Sequence, residues 1–167
     1  TKTAIFIVLS PAIGMLLAGL IMVAVAWIFR RWRPGKIDRW FRRLQFVSAS
    51  LYSLGHGGND AQKTMGIIFA LLISKHMVDP HGKVPLWVVL ASQAAMGLGT
   101  LSGGWRIVKT MGMKLTKLKP FGGFCAETGS ALMLFLAGHL GVPVSTTHVI
   151  TGAISGVGAG DWLEAPV

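Results

Sequence analysis

Charged side chains are scarce in this sequence, since Asp, Glu, Lys and Arg make up 13% of its residues. An ordinary soluble domain carries about 25%, so this composition argues against that class. The stretch Thr3–Phe29 contains no ionisable side chain at all. As a helix it is long enough to cross a hydrocarbon core of about 30 Å, and it exceeds the apolar part of a signal peptide, roughly 7–15 residues. We therefore predict a membrane protein whose first span is residues 4–29.

Cysteine and the familiar enzyme motifs are also rare or missing. Cys125 is the single cysteine, so no internal disulfide can form and nothing about the redox compartment follows. The sequence contains no G-x-x-x-x-G-K-[ST] phosphate-binding loop and no G-x-S-x-G nucleophile motif. These absences argue against an enzyme, and no cofactor is expected.

Positive charge is clustered, although the formal net charge reaches +10. Lys and Arg concentrate in Arg30–Arg43 and in Arg106–Lys119, and both clusters adjoin apolar stretches. Such clusters at the ends of membrane spans are typical of cytoplasmic loops near anionic headgroups, so nucleic acid is not predicted as a partner. The first cluster, interleaved with Trp32 and Trp40, is expected to form a loop and a short helix on the membrane surface.

The apolar stretches predict an all-α membrane protein, a polytopic bundle of transmembrane helices in one domain. The predicted spans are residues 4–29, 44–54 with 61–74, 86–104, and 121–140 with 146–159, and the predicted basic cytoplasmic loops are 30–43 and 105–119. If both basic clusters face the cytoplasm, the chain crosses the membrane an even number of times between them. Residues 44–74 must then make one net crossing, as two half-helices in series.

Two short polar stretches interrupt the apolar runs: LGHGGNDAQK at Leu54–Lys63 and VPVSTTH at Val142–His148. Glycine is unfavourable inside a helix, and Pro143 breaks the second run, after which Ser145 or Thr146 can cap a new helix. In a bilayer, non-helical backbone persists only where protein or water satisfies it. Broken helices with capped starts are typical of ion and substrate sites in transporters, so we predict broken or re-entrant helices here.

The ionisable side chains within the apolar runs and their interruptions are His56, Asp60, Lys63, Glu127 and His148. Each such group costs at least roughly 2.5–3.5 kcal/mol at membrane depth, and such groups are therefore usually functional. The structural alternatives are an ion pair of Lys63 with either Asp60 or Glu127, and an ordinary hydrogen bond for His56.

These groups point to an anion and a cation bound together. The hydroxyls of Ser145–Thr147, with the free backbone N–H groups of a helix start, predict an anion cradle to which Asn59 adds amide groups. Asp60 and Glu127 would repel an oxyanion unless a proton or a cation such as Na⁺ lies between them, and carboxylate, hydroxyl and carbonyl oxygens are hard ligands for such a cation. The residues therefore predict coupled transport of an oxyanion with Na⁺ or H⁺.

The blocks GHGGNDAQK at Gly55–Lys63 and PVSTTH at Pro143–His148 resemble the two signature blocks of the inorganic phosphate transporter (PiT) family. That family carries a G-x-N-D block followed by a P-x-S-[ST]-[ST]-H block, twice, in two halves of inverted topology. With Gln62 and Lys63 after the first block, this chain is similar to the C-terminal half. The resemblance implies one half of an inverted-repeat transporter that takes up inorganic phosphate with Na⁺ or H⁺ by alternating access. The implied partner is the N-terminal half, or a second copy in a homo-oligomer.

The resemblance also implies roles for individual residues. The residues implied to bind phosphate are Asn59, Asp60, Ser145, Thr146 and Thr147. Those implied to couple the cation are Asn59, Asp60 and Glu127, and Asp60 and Glu127 would hold Na⁺ as a metal ligand pair. Accessory roles are implied for His56, Lys63 and His148. From the brief loops we expect a multi-pass protein of a prokaryotic inner membrane. Two alternatives stay open: a permease for sulfate or another oxyanion, and a membrane receptor or assembly subunit that transports nothing.

Overall fold

The computed structural model describes residues 2–110 and 118–163, and within these ranges it contains helices and no strand. The helices are α1 (Lys2–Phe29), α2 (Pro34–Ser74), α3 (Leu86–Thr110), α4 (Pro120–His139) and α5 (Thr146–Leu163). The prediction of an all-α fold is confirmed. Among the described residues, three helical segments are long and apolar enough to cross a membrane: Ile5–Phe29, Leu86–Gly104 and Pro120–His139.

α2 is one continuous helix of 41 residues, so the predicted break at Leu54–Lys63, with half-helices on either side, is wrong. A glycine inside a helix costs only about 1 kcal/mol relative to alanine, which packing can offset. A Cβ atom on Gly55 would lie 3.2 Å from the Cβ of Leu134, so a larger residue would push α2 away from α4. This glycine therefore permits close packing of two helices and does not interrupt one.

The start of α2 also differs from the prediction. Only residues 30–33 are non-helical, so the loop with a separate surface helix that we predicted over 30–43 is wrong. Proline is favoured at the first position of a helix, which is where Pro34 lies. The Arg42 guanidinium then pairs with the Asp38 carboxylate at 3.0 Å across one turn. With neither Gly nor Pro in residues 36–54, nothing stops the helix.

The second predicted interruption is present, as a loop over residues 140–145 between α4 and α5. The Ser145 Oγ accepts a hydrogen bond from the His148 N–H at 3.4 Å, so Ser145 caps α5 as predicted. The two helices do not continue in series, because Ala126 of α4 packs near Val157 while Ala137 packs near Val149. α4 and α5 therefore form an antiparallel hairpin, which corrects the expectation of one broken span.

An aromatic cluster closes one end of the bundle. The Phe41 ring of α2 makes edge-to-face contacts with Phe29, Phe121 and Phe124, with centroids 5.5, 5.0 and 5.2 Å apart. The end of α1 and the starts of α2 and α4 therefore meet at this end, which we call the aromatic end.

α3 runs antiparallel to α2. Near its start Val88 packs against Met65, and further along Gln93 faces Gly57, so α3 ends toward the aromatic end. The described residues of both basic clusters thus lie at one end of the bundle, as one net crossing by α2 requires. The loop predicted over 105–119 is shorter, because α3 continues to residue 110, and its residues 111–117 lie outside the described ranges.

α5 packs in parallel against α1 at very short range. A Cβ atom on Gly152 would lie 2.2 Å from the carbonyl oxygen of Pro11, and one on Gly156 would lie 2.2 Å from that of Met15. Small residues four positions apart are typical of such close contacts between membrane helices. Around this contact α1, α4 and α5 share a buried core of Ala18, Met22, Cys125, Ala126, Ala153, Ile154 and Val157. The hairpin is thereby fixed on α1, with the start of α5 presented to α2.

Candidate functional site

Asp60 lies at the centre of a polar cluster where α2 passes the start of α5. Its Oδ2 accepts a hydrogen bond from the Thr146 Oγ1 at 3.1 Å and lies 3.1 Å from the His56 Nε2. Its Oδ1 lies 2.9 Å from the Lys63 Nζ. With 22% of the Asp60 side chain exposed, a ligand can still reach the carboxylate.

Lys63 connects this cluster to the loop before α5. Its ammonium group donates to the carbonyl oxygen of Val144 at 2.9 Å as well as to Asp60. Lys63 thus pairs with Asp60, one of the two predicted partners, and not with Glu127. Because 45% of its side chain is exposed, the ion pair contributes at most about 1 kcal/mol. An incoming ligand can therefore displace Lys63 from Asp60 at little cost.

Asn59 lies beside Asp60 but faces α4. Its side chain is buried, and its Nδ2 donates to the carbonyl oxygen of Leu134 at 3.1 Å, which leaves the amide oxygen as an acceptor. A cavity of about 220 Å³ opens here, lined by Asn59, Gln62, Lys63, Gly138, Gly141, Val142 and Pro143. One water molecule takes up about 30 Å³ of the liquid, so the cavity has room for a small hydrated ion.

The start of α5 forms the other side of the site. The Thr146 side chain is buried against Asp60, whereas Thr147 and His148 are exposed and lie outside the cluster. The first backbone N–H groups of a helix have no partner within the helix and carry the positive end of its dipole. Next to the cavity wall at Pro143, this helix start therefore offers hydrogen-bond donors to an anion.

The structure does not bring Glu127 to Asp60. The Glu127 Oε2 accepts a hydrogen bond from the Ser48 Oγ at 2.5 Å, and Ser48 precedes Asp60 on α2 by three turns, or about 18 Å at about 1.5 Å per residue. The two carboxylates cannot share one cation in this conformation, which corrects the expected Na⁺ site. Among the residues that the structure describes, no group of three or more His, Cys, Asp and Glu is arranged to hold a metal ion.

Sequence reasoning missed Tyr52 and Ser48, which precede His56 and Asp60 on α2 at intervals of four residues. The Tyr52 Oη lies 3.4 Å from the His56 Nδ1, and the two rings meet edge-to-face with centroids 5.7 Å apart. The available signal was a spacing of four residues from Ser48 to Asp60. It makes each residue the neighbour of the next on a helix surface, but only if α2 is continuous, which we did not predict.

Comparisons with known proteins all point to one family. The sequence model described as the phosphate transporter family matches residues 1–165. A probable low-affinity inorganic phosphate transporter of Rhizobium meliloti is 65% identical over 164 residues, which cover 98% of this chain and 49% of that protein. A protein of the same description from Bacillus subtilis is 44% identical over 153 residues, covering 92% of this chain and 46% of that protein.

A more distant relative is the sodium-dependent phosphate transporter 1 of Mus musculus. It is 32% identical over 148 residues, which cover 81% of this chain and 21% of that protein. No solved structure matches the chain. The chain spans about half the length of the two bacterial relatives.

Proposed function

Because this chain belongs to the phosphate transporter family, we propose that it forms half of a multi-pass protein that carries inorganic phosphate across a prokaryotic inner membrane together with Na⁺ or H⁺. Its relatives are named as transporters, and it is not an enzyme. One observation carries the proposal. The hydrogen bond between Asp60 and Thr146 brings two motifs 86 residues apart in sequence into one site.

Phosphate would bind between the start of α5 and Asn59. The donors are the first N–H groups of α5, the hydroxyls of Ser145 and Thr146 and the ammonium of Lys63, while the Asn59 oxygen accepts from a protonated phosphate oxygen. A helix start of this kind is a general anion site, and the cavity beside Asn59 supplies the space.

The cation requirement follows from Asp60. Two unit negative charges 4 Å apart repel by about 4 kcal/mol near a protein surface, so phosphate beside an ionised Asp60 needs a proton or a cation there. Oxygen atoms suited to a cation are already close: the Asp60 carboxylate, the Thr146 hydroxyl and the carbonyl of Val144. Binding of anion and cation would thereby favour each other.

Lys63 would link ligand binding to a conformational change. In the structure it bonds to both Asp60 and the Val144 carbonyl, and so it ties α2 to the loop before α5. A cation at Asp60 and an anion at the start of α5 would both draw Lys63 away from this position. Loss of these two Lys63 contacts would let α5 move relative to α2. Alternating access would then result from movement of these helices against the other half of the transporter or a second copy.

The proposal is tested by uptake of labelled phosphate into liposomes that contain the full-length protein. We expect uptake to require an inward Na⁺ or H⁺ gradient and to collapse when an ionophore dissipates that gradient, with protein-free liposomes as the control. An excess of unlabelled sulfate should compete poorly. Equal competition by sulfate would instead indicate a general oxyanion permease. Uptake that does not depend on a gradient would indicate a channel. The absence of both uptake and binding would indicate a receptor or assembly subunit.

A further inference from the structure

A second cavity, of about 230 Å³, opens between the end of α1 and the start of α2, at the aromatic end of the bundle. Its lining is Arg31, Trp32, Arg33 and Lys36, so three of its four side chains are cations. One water molecule takes up about 30 Å³ of the liquid, so a phosphate group fits here. Asn59 lies 23 positions after Lys36 on α2, or about 35 Å at about 1.5 Å per residue. The cavity is therefore separate from the proposed transport site.

The three cations of this cavity have no carboxylate partner. Among the residues that the structure describes, no ion pair involves any of them. Asp38, the carboxylate nearest to them along α2, is already paired with Arg42 at 3.0 Å. Like charges held close together repel one another, and Arg is well suited to bind phosphate oxygens. The cavity therefore favours an anion from outside the chain.

The start of α2 adds a hydrogen-bond donor at the same place. Pro34 is the first residue of the helix, no side chain caps it, and its first turn contains no acidic residue. The N–H groups of Lys36 and Ile37 bond back to the Arg33 carbonyl, which leaves the N–H of Gly35 for a ligand. Beyond the adjoining backbone, a Cβ atom built at Gly35 would meet no described atom within 4 Å. A ligand can therefore reach the positive end of the helix dipole here.

The surroundings of the cavity indicate the headgroup region of a bilayer. Trp27, Trp32 and Trp40 are all exposed, and tryptophan is enriched where hydrocarbon meets water. The Trp32 ring is held by an edge-to-face contact with Phe29, with centroids 5.0 Å apart. On α1 the neighbouring Ile28 is exposed, and the rest of that helix is apolar. The charged cavity therefore adjoins an apolar surface that faces outward.

We propose that this cavity binds the phosphate group of an anionic phospholipid in the leaflet next to the aromatic end. The three cations would surround the phosphodiester, the Gly35 N–H would donate to one of its oxygens, and the acyl chains would lie along α1 beside Ile28. Exposed cations alone hold a free anion weakly, because salt screens them. A lipid is the occupant that uses both the charged cavity and the apolar surface beside it.

A general attraction between basic residues and an anionic membrane surface is the simpler explanation of the same charges. That attraction depends on the number of cations near the surface and needs no cavity. A binding site depends on where the cations are and on access to Gly35. Variants that change the cavity at constant charge elsewhere therefore distinguish the two explanations.

Gly35→Glu, compared with Gly35→Gln, tests the cavity itself. The two side chains are nearly equal in size and have open space at this position, but only glutamate places a negative charge among the cations. A carboxylate also stabilises a helix start, so the variant should fold. Native mass spectrometry of the full-length protein in an uncharged detergent, titrated with phosphatidylglycerol, gives the Kd of the first bound lipid. We expect Gly35→Glu to raise this Kd by at least about 5-fold, the scale of one charge near a membrane surface, and more than Gly35→Gln does.

Two variants of equal charge provide the matched comparison. The cavity variant replaces the three lining cations: Arg31→Gln with Arg33→Gln and Lys36→Gln. The control variant replaces three exposed cations at the same end but outside the cavity: Arg39→Gln with Arg43→Gln and Lys109→Gln. We expect the Kd for phosphatidylglycerol to rise by about 100-fold in the cavity variant and by far less in the control. Equal losses in the two variants would show general attraction and overturn the site.

The choice of lipid and of anion decides what occupies the cavity. Phosphatidylcholine, whose headgroup carries no net charge, should bind more weakly than phosphatidylglycerol, and an excess of inorganic phosphate should not displace the bound phosphatidylglycerol. Equal affinity for the two lipids, or an unchanged Kd in Gly35→Glu, overturns the proposal. Displacement by inorganic phosphate would show a site for a free anion and overturn the assignment to a lipid. None of these outcomes depends on whether the protein transports phosphate.

Discussion

Asp60→Asn is expected to abolish cation-dependent phosphate binding by the full-length protein. Asparagine has nearly the same size as aspartate and can still accept a hydrogen bond from Thr146. Because it is uncharged, it can neither take up a proton nor balance the charge of a cation. It also leaves Lys63 without its carboxylate. In the wild type the bound cation offsets a repulsion of about 4 kcal/mol between Asp60 and phosphate, so removing the cation should weaken wild-type binding by up to about 1000-fold, whereas the variant should bind with the same affinity with and without the cation. Equilibrium binding of labelled phosphate, measured with and without Na⁺ and at two pH values, gives this number.

Asp79→Asn is the matched control for that experiment. Asp79 lies in the loop between α2 and α3, where its exposed carboxylate accepts a hydrogen bond from the His81 N–H at 2.9 Å. The variant should bind phosphate with the wild-type dependence on cations. If Asp60→Asn also did so, Asp60 would be an ion-paired structural residue, as a receptor or assembly subunit would have.

Gly152→Ala is expected to cause a large loss of stability. The new Cβ atom would lie 2.2 Å from the carbonyl oxygen of Pro11, and a backbone oxygen cannot move without moving α1. Overpacking of this kind typically costs about 1–3 kcal/mol and occasionally more. The melting temperature should therefore fall by about 2–12 °C. Cys125 is buried, so the temperature at which its thiol becomes reactive reports the unfolding.

The control for this substitution is Gly103→Ala on α3. Among the described residues, no atom beyond the adjoining helix backbone lies within 4 Å of a Cβ built at Gly103, and alanine favours a helix over glycine by about 1 kcal/mol. This variant should melt at or above the wild-type temperature. Equal melting temperatures for Gly152→Ala and the wild type would contradict the close contact of α5 with α1.

The sequence was informative wherever one residue type has a strong local effect. Pro143 and the capping Ser145 correctly predicted the loop before α5, because proline lacks the backbone N–H that a helix uses and the serine hydroxyl accepts a hydrogen bond from a free N–H at the helix start. The charge-free stretch after Thr3 correctly predicted the long apolar α1. These signals are local, so they could be found without knowing which helices pack together.

The errors arose where a residue acts through a distant partner. The sequence alone does not tell whether Gly55 ends a helix or lets α2 approach Leu134, and only packing distinguishes the two. The partner of Glu127, Ser48, lies 79 residues away in the sequence. No spacing rule reaches that far, so Glu127 was assigned to Asp60 on chemical type alone.

The central claim is that α2 and the start of α5 together hold phosphate and its coupled ion. An electron cryomicroscopy map of the full-length protein with bound phosphate tests it most directly. We expect phosphate oxygens within about 3 Å of Asn59 and the first residues of α5, with Lys63 moved from Asp60 toward the anion. Phosphate bound away from these two helices, or Lys63 still paired with Asp60 while phosphate occupies the site, would contradict the account.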